Sequence, residues 1–368
     1  MECFGNRTYN SQSDLLAELL AGKRTLKAPD PELYRRVLAN WDSVAKPLDG
    51  LGRFERITAQ IGAILGTDDI DISRKAVLIL CADNGIVAEG ISQSGQEVTA
   101  AVAEEMGRKL SSVCKMARQV GADTIPVDIG INCGEPIAGV LDKKIRRGTR
   151  NFRLEPAMTH EEALGAIQEG MELVADCKEQ GYRILATGEM GIGNTTTSSA
   201  VAAALLGVRA EEVTGRGAGL PDQGLMRKQA VIQEAVDKYG LYQADPLRVL
   251  ETVGGLDIAG LAGVCIGGAV HRIPIVLDGV ISMAAALLAQ RLVPGTVQYL
   301  IGSHQGREPA VERLTQALGL APVIHGELAL GEGTGAVMMM ALLDIALSVY
   351  VKRTLFSDIR IQPYERFV

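Results

Sequence analysis

Aromatic residues are scarce in this chain, at 4%, and tryptophan occurs once. Ala, Gly, Leu and Val dominate instead, a composition that suits an α/β protein with tightly packed helices. Positive charge is not in surplus. The formal net charge is −7, with both signs spread along the chain, which leaves no basic face for nucleic acid or an anionic membrane. The six cysteines form no C-x-x-C and the four histidines no H-E-x-x-H, so neither a metal site nor a cofactor is expected. The opening Met1–Arg7 lacks an apolar signal core. Cys3, Cys81, Cys114, Cys133, Cys177 and Cys265 are therefore expected as reduced, mostly buried thiols in a cytoplasmic protein. Long hydrophobic runs are missing too. The longest, Ala336 to Val351, contains Asp344 and falls short of a bilayer span, so it reads as a core helix.

Two nucleotide fingerprints are also absent. No Gly-Lys-Ser/Thr closes a P-loop, and no G-x-G-x-x-G follows any strand, which argues against a dehydrogenase. What stands instead is Thr187-Gly188-Glu189-Met190-Gly191-Ile192-Gly193-Asn194-Thr195-Thr196-Thr197. An apolar run precedes it, and the apolar Ala200 to Leu206 follows. A strand, a glycine-rich turn and a helix start can cradle an anion, because free N–H groups of the first helical turn point at it. Glu189 would sit at the rim. The plain alternative is a tight turn capped by Asn194 or Thr195.

The chain has room for one large or two modest domains. Helices are expected at Ser13–Leu20, Pro31–Trp41 and Gly52–Leu65. Strands are expected at Ala76–Ala82, Thr124–Ile129, Arg183–Thr187, Ile273–Leu277 and Gln298–Ile301. Continuous apolar strands alternating with helices predict a doubly wound, mainly parallel sheet covered on both faces. Ligands bind such sheets beyond the carboxyl ends of the strands. Polar residues gather at those ends: Asp83-Asn84-Gly85, Asp128-Ile129-Gly130, Gly188-Glu189-Met190, Asp278-Gly279 and Gly302-Ser303-His304. The charged run Asp142 to Asn151 reads as a solvated loop or lid, with a phosphate-facing role the lesser alternative. A second acidic candidate, Glu332, lies in Leu330-Gly331-Glu332-Gly333-Thr334-Gly335 before the last helix. It either complements that helix dipole or, if burial raises its pKa, serves as a general base.

The chain resembles the nicotinate-nucleotide–dimethylbenzimidazole phosphoribosyltransferase family. The matching segments run in order: Lys46-Pro47 with Asp49-Gly50-Leu51-Gly52-Arg53-Phe54-Glu55; Ala82-Asp83-Asn84-Gly85 through Ser92; Gly188 through Thr196; Gly215-Arg216-Gly217 with Lys228; Val253 through Ala259; Leu277-Asp278-Gly279; Ser303-His304; and Leu330 through Ala336. The resemblance implies a Rossmann-like α/β domain over 70–330 and a smaller helical domain from 1–69 plus 331–368. It also implies a dimer, either a homodimer or a heterodimer with a paralogue. The implied reaction joins nicotinate mononucleotide and an aromatic base to give an α-ribotide 5′-phosphate and nicotinate, for cobamide assembly. On this resemblance Glu332 is the catalytic base and Glu189 stabilises the developing cation. Gly188, Met190, Gly191, Ile192, Gly193, Asn194, Thr195, Lys228 and Gly306 hold the nucleotide. Ser92, Asp83, Ala100 and Leu330 face the acceptor base. Two positions depart from the family: Ala100 stands where a base-contacting Gln is usual, and Gly306 where Ser is frequent. Both leave Glu189 and Glu332 untouched and bear on acceptor choice and phosphate contacts. A non-catalytic or partner-dependent subunit is the alternative reading.

Overall fold

The computed structural model describes residues 10–366; the opening Met1–Arg7, and Cys3 with it, lies outside the described residues. Six strands form one sheet: β1 (Lys75–Ala82), β2 (Ala122–Gly130), β3 (Leu141–Asp142), β4 (Ile184–Met190), β5 (Ile275–Leu277) and β6 (Leu300–Gly302). All neighbours are parallel, in the order β3-β2-β1-β4-β5-β6. This is the Rossmann order, and the direction in which strands are added reverses between β1 and β4. A crevice opens at that point beyond the strand ends.

β1 is buried along its whole length, which explains its unbroken apolar run. Alternate residues serve opposite faces. Ala76, Leu78 and Leu80 join one core with α6 (His160–Glu179), α7 (Asn194–Leu206), α10 (Leu256–His271) and α11 (Val280–Leu292). The same core takes Ile232 from α8 (Asp222–Tyr239), Leu250 from α9 (Pro246–Val253) and Leu314 from α12 (Ala310–Leu318). Val77, Ile79 and Cys81 join the other core with α2 (Pro31–Ser43), α3 (Arg53–Leu65), α4 (Glu97–Gly107), α5 (Ser112–Gln119) and α13 (Thr334–Val351). α1 (Asn10–Leu20) sends Leu16 and Leu19 to the first core, whereas α2 and α3 serve the second. Close packing of α6 on α10 depends on glycine. A Cβ on Gly263 would lie 2.0 Å from the Ile167 carbonyl oxygen.

Several expectations need correction. β4 runs on to Met190, so Gly188 and Glu189 belong to the strand and not to the turn. β5 begins at Ile275, and residues Thr296–Tyr299 form a 3-10 turn ahead of β6. The charged run is a loop beyond Asp142, the second residue of β3, but it is a tethered and partly buried one, pinned by Lys143–Glu169 and Lys144–Asp128 ion pairs, both 3.0 Å. Arg146 and Arg150 both engage Glu162. α13 is longer than expected. At 18 residues it is apolar and long enough to cross a membrane by length and composition alone. Its apolar character is accounted for by Val337, Met340, Leu343 and Leu347, which are buried in the second core. Cys81, Cys114, Cys177 and Cys265 are buried free thiols, and Cys133 is half-buried.

Candidate active site

Two loops meet at the crevice, one after β4 and one before α13. Gly188 sits on β4 with no space for a side chain: a Cβ there would approach the Glu332 carbonyl oxygen at 2.4 Å. Its role is thus to admit the Glu332 backbone, and it does not line the cavity. The turn then runs through Gly191 to Gly193, which takes φ 93° and caps α7. That conformation disfavours any residue with a Cβ. Neither Asn194 nor Thr195 is the cap. The N–H groups of Asn194, Thr196 and Thr197 bond to the carbonyls of Gly191 and Gly193, so fewer donors stay free at the helix start than the bare motif suggests.

With the cap supplied by glycine, the Asn194 side chain is released for another task. Its amide donates to Glu189 Oε2 and to Asp257 Oδ2, the latter at 3.1 Å. Asp257 is completely buried at the start of α10. One amide therefore joins two carboxylates inside the protein. Burial, with added repulsion from Asp257, Asp278 and Glu332 and despite the Asn194 bond, raises Glu189 to about 8. Burial likewise raises Asp257 to about 6 against its hydrogen bonds. Two carboxylates so close cannot both ionise cheaply.

Glu332 lies opposite. Its backbone is left-handed, at φ 62°, between Gly331 and Gly333. Its Oε2 accepts from Val113 N, 3.1 Å away in the first turn of α5. It does not cap its own helix, and burial raises its pKa in spite of the Val113 bond. The α13 start is instead held by Asp278. This carboxylate accepts from Gly333 N (3.2 Å), Gly335 N (2.9 Å) and Ala336 N (3.2 Å). His304 Nδ1 stands 4.0 Å from Asp278 and 2.9 Å from Ser303 Oγ.

These groups border a cavity of about 250 Å³. Glu189, Met190, Gly191, Ile192, Asn194, Thr195, Gly306, Leu330 and Glu332 all line it, with Asp278, His304 and Arg307. A smaller cavity of about 80 Å³ shares the Gly191–Ile192 and Asn194–Thr195 wall and adds Ser92, Gly193 and Lys228. Lys228 is wholly buried on α8 and donates to Thr195 Oγ1 at 2.8 Å. Burial lowers its pKa to about 8, with Glu308 opposing. Ser92 thus falls on the lysine side of the wall. Asp83 and Ala100 line neither cavity. Asp83 is buried and accepts from Asn132 N at 2.8 Å, bracing the end of β1 against β2. Ala100 faces the second core from α4. A Cβ at Gly306 would meet nothing nearer than 3.5 Å, so its lack of a side chain is not imposed by space.

Sequence reasoning passes over Asp257 and Glu308 as site residues. It marks Asp278 and His304 as strand-end polar residues, but nothing in the sequence pairs them. No group of His, Cys, Asp and Glu among the described residues has the geometry to hold a metal ion.

Comparison with known proteins agrees with this architecture. A family model described as "Phosphoribosyltransferase" matches residues 26–361. The chain is 42% identical over 338 residues to the nicotinate-nucleotide–dimethylbenzimidazole phosphoribosyltransferase of Acetivibrio thermocellus, covering 91% of this chain and 96% of that one. It is 39% identical to the protein of the same name from Ruminiclostridium cellulolyticum, covering 93% and 97%. The solved structure of CobT from Thermus thermophilus superposes with a TM-score of 0.86 at 36% identity, over 91% of this chain and 100% of that one. By these matches, the chain, whose cavity is lined from the Gly188–Thr196, Leu277–Gly279, Ser303–His304 and Leu330–Ala336 segments, belongs to the nicotinate-nucleotide–dimethylbenzimidazole phosphoribosyltransferase family.

Proposed function

We propose that this protein transfers the 5-phosphoribosyl group of nicotinate mononucleotide to an aromatic base. The products are an α-ribotide 5′-phosphate and free nicotinate, for use in cobamide nucleotide-loop assembly. The observation that carries this reading is the separation of charge across one shared wall. Glu189, Asp278 and Glu332 line one cavity, with Arg307 as its one arginine, and Lys228 and Arg216 line the other with no carboxylate, Thr195 being common to both. A nucleotide with a cationic pyridinium ring and an anionic phosphate matches that polarity.

Departure of nicotinate from ribose C1′ builds oxocarbenium character. Glu189, raised to about 8 by its surroundings, releases its proton to solvent when the cationic ring enters, since opposite charge favours the anion. The carboxylate is then placed where positive charge grows, in a site of low dielectric. Asn194 fixes its orientation. Glu332, raised by burial, takes the ring proton of an azole, or the hydroxyl proton of a phenol, as the acceptor attacks. Attack on the face opposite the leaving group inverts C1′ and gives the α-linkage. The phosphate is assigned to Thr195, Lys228 and the N-terminus of α7, with Arg307 available at the Gly306 side.

The acceptor is a benzimidazole, a purine or a phenol. The wall near Glu332 is apolar at Leu330 and Met190 and receives no amide from position 100. A dimer is proposed through α13, whose Met338, Ile345 and Val349 share one exposed face at helical spacing. The test is an acceptor panel. Purified protein is incubated with nicotinate mononucleotide and, separately, dimethylbenzimidazole, adenine, phenol or p-cresol, and each α-ribotide is sought by mass. Product with wild type and its loss in Glu332→Gln, with nucleotide binding retained, is the expected result. Wild-type turnover in Glu332→Gln would refute the base assignment. No product with any acceptor would favour a partner-dependent subunit.

A further inference from the structure

A cavity of about 260 Å³ lies away from the carboxylates, between α3 and the outer edge of β6. It matches the cavity beside Glu189 in size. Ile57, Leu300, Ile301 and Leu320 give it apolar walls, while Arg53 and Arg56 bring two guanidinium groups. No Asp or Glu lines it. In a chain of net charge −7, a pocket with two cations and no acid is out of balance. Arg53 spends one N–H on the Pro322 carbonyl, at 2.7 Å. Arg56 has neither a hydrogen bond nor an ion pair with any described residue, and its charge is felt only at a distance by the exposed Asp49. Gln60 ties α3 to the strand edge through the carbonyls of Gln298 (2.9 Å) and Leu300 (3.1 Å), so the pocket floor is fixed.

Guanidinium forks recognise carboxylates in a bidentate manner, and apolar walls shelter an organic body. A phosphate dianion would gain nothing from Ile57, Leu300 and Leu320. We propose that this cavity binds a small amphipathic monocarboxylate, with Arg56 and Arg53 on the carboxylate and the apolar walls on its body, and that its occupancy regulates the transfer site.

The route is short. Leu300–Gly302 line this cavity, and the next residues, Ser303 and His304, stand beside Asp278. The Ser303 carbonyl accepts from Val323 N and Ile324 N, both at 3.1 Å, and Gln305 N donates to the Ile324 carbonyl at 2.8 Å. Arg53 holds this same returning segment at Pro322. A carboxylate that draws Arg53 away from Pro322 makes a contact in one arrangement of the segment and not in the other. That difference is what a ligand needs to shift an equilibrium.

The binding part stands by itself, while the regulatory part rests on the transfer reaction proposed above. Benzoate is titrated calorimetrically into the full chain, with and without saturating nicotinate mononucleotide. Acetate and inorganic phosphate serve as comparison probes. Benzoate is expected to bind in both conditions, at least about tenfold tighter than acetate or phosphate. Arg56→Gln is expected to weaken benzoate by about tenfold or more, the scale of one lost charge-assisted pair, while basal turnover stays unchanged. Equal affinity in Arg56→Gln, displacement of benzoate by the nucleotide, or phosphate binding as tightly as benzoate would each overturn the site. Where turnover is measurable, benzoate should change kcat/KM of the wild type and not of Arg56→Gln. Binding with no such change would overturn the coupling. A chain that lacks transferase activity altogether still gives the calorimetric answer, so the two failures are separable.

Discussion

Replacing Glu189 by Gln should make the protein more stable while removing most of its proposed activity. Glu189 is buried among Asp257, Asp278 and Glu332, and its pKa is raised from the usual carboxylate range to about 8. The folded state therefore holds this proton more tightly than the unfolded chain does. Below about pH 4 both states are protonated and the group contributes no penalty. As pH rises through the unfolded value, the unfolded chain ionises while the folded one does not, and stability falls until the folded pKa is passed. At pH 7 the loss is on the order of 3 kcal/mol from the linkage relation, with Asp257 sharing part of it through Asn194. Gln keeps the size of Glu, and its carbonyl still accepts from Asn194. The assay is urea unfolding of wild type and Glu189→Gln at about pH 4, 7 and 8.5, values that bracket the unfolded and folded ionisations. The variant is expected to gain little at the lowest pH and about 2–3 kcal/mol at the two higher values. An equal effect at every pH, or destabilisation that grows with pH, would refute the picture of a strained carboxylate held by the fold for chemistry.

Four further outcomes are expected. Lys228→Met should raise KM for the nucleotide at least about tenfold by removing the buried cation, with little change in folding, because a buried amine at about 8 is costly to keep. Nucleotide affinity in the wild type should weaken as pH rises past that value, and flat affinity from about pH 6.5 to about 9 would count against it. Gly263→Ala should destabilise by about 1–3 kcal/mol through overpacking of α10 on α6, read as a drop in the denaturant midpoint without loss of substrate affinity. The proposed division into 70–330 and 1–69 plus 331–368 is tested by hydrogen exchange, with α1 reassigned to the larger unit because Leu16 and Leu19 pack in the first core: α2, α3 and α13 should exchange as one unit, and α1 with α6.

Much of the fold was legible because β1, β2 and β4 are long and buried, and their apolar runs cannot be satisfied except inside a covered parallel sheet. β5 and β6 have three residues each and β3 two. Such short pieces are defined by their neighbours' hydrogen bonds, so the charged run conceals β3 and the apolar pattern starts β6 early, within the 3-10 turn at Thr296–Tyr299.

The site divides in the same way. Glycine spacing and helix-start patterns are local, so the sequence alone could place a loop after β4 and a second one around Glu332. It determined the family and the fold class, and it marked the two carboxylates proposed for the reaction. Contacts between distant segments are not local, and only the tertiary structure decided them. It brought Asp257 to Asn194 across 63 positions and set Glu332 on the first turn of α5. It turned Asp83 and Ala100 away from the cavities and gave the capping of α13 to Asp278. Burial is likewise a property of the whole packed chain, and burial is what raises Glu189 and lowers Lys228. The residue types were written in the sequence, while their ionisation was set by what the fold packed around them.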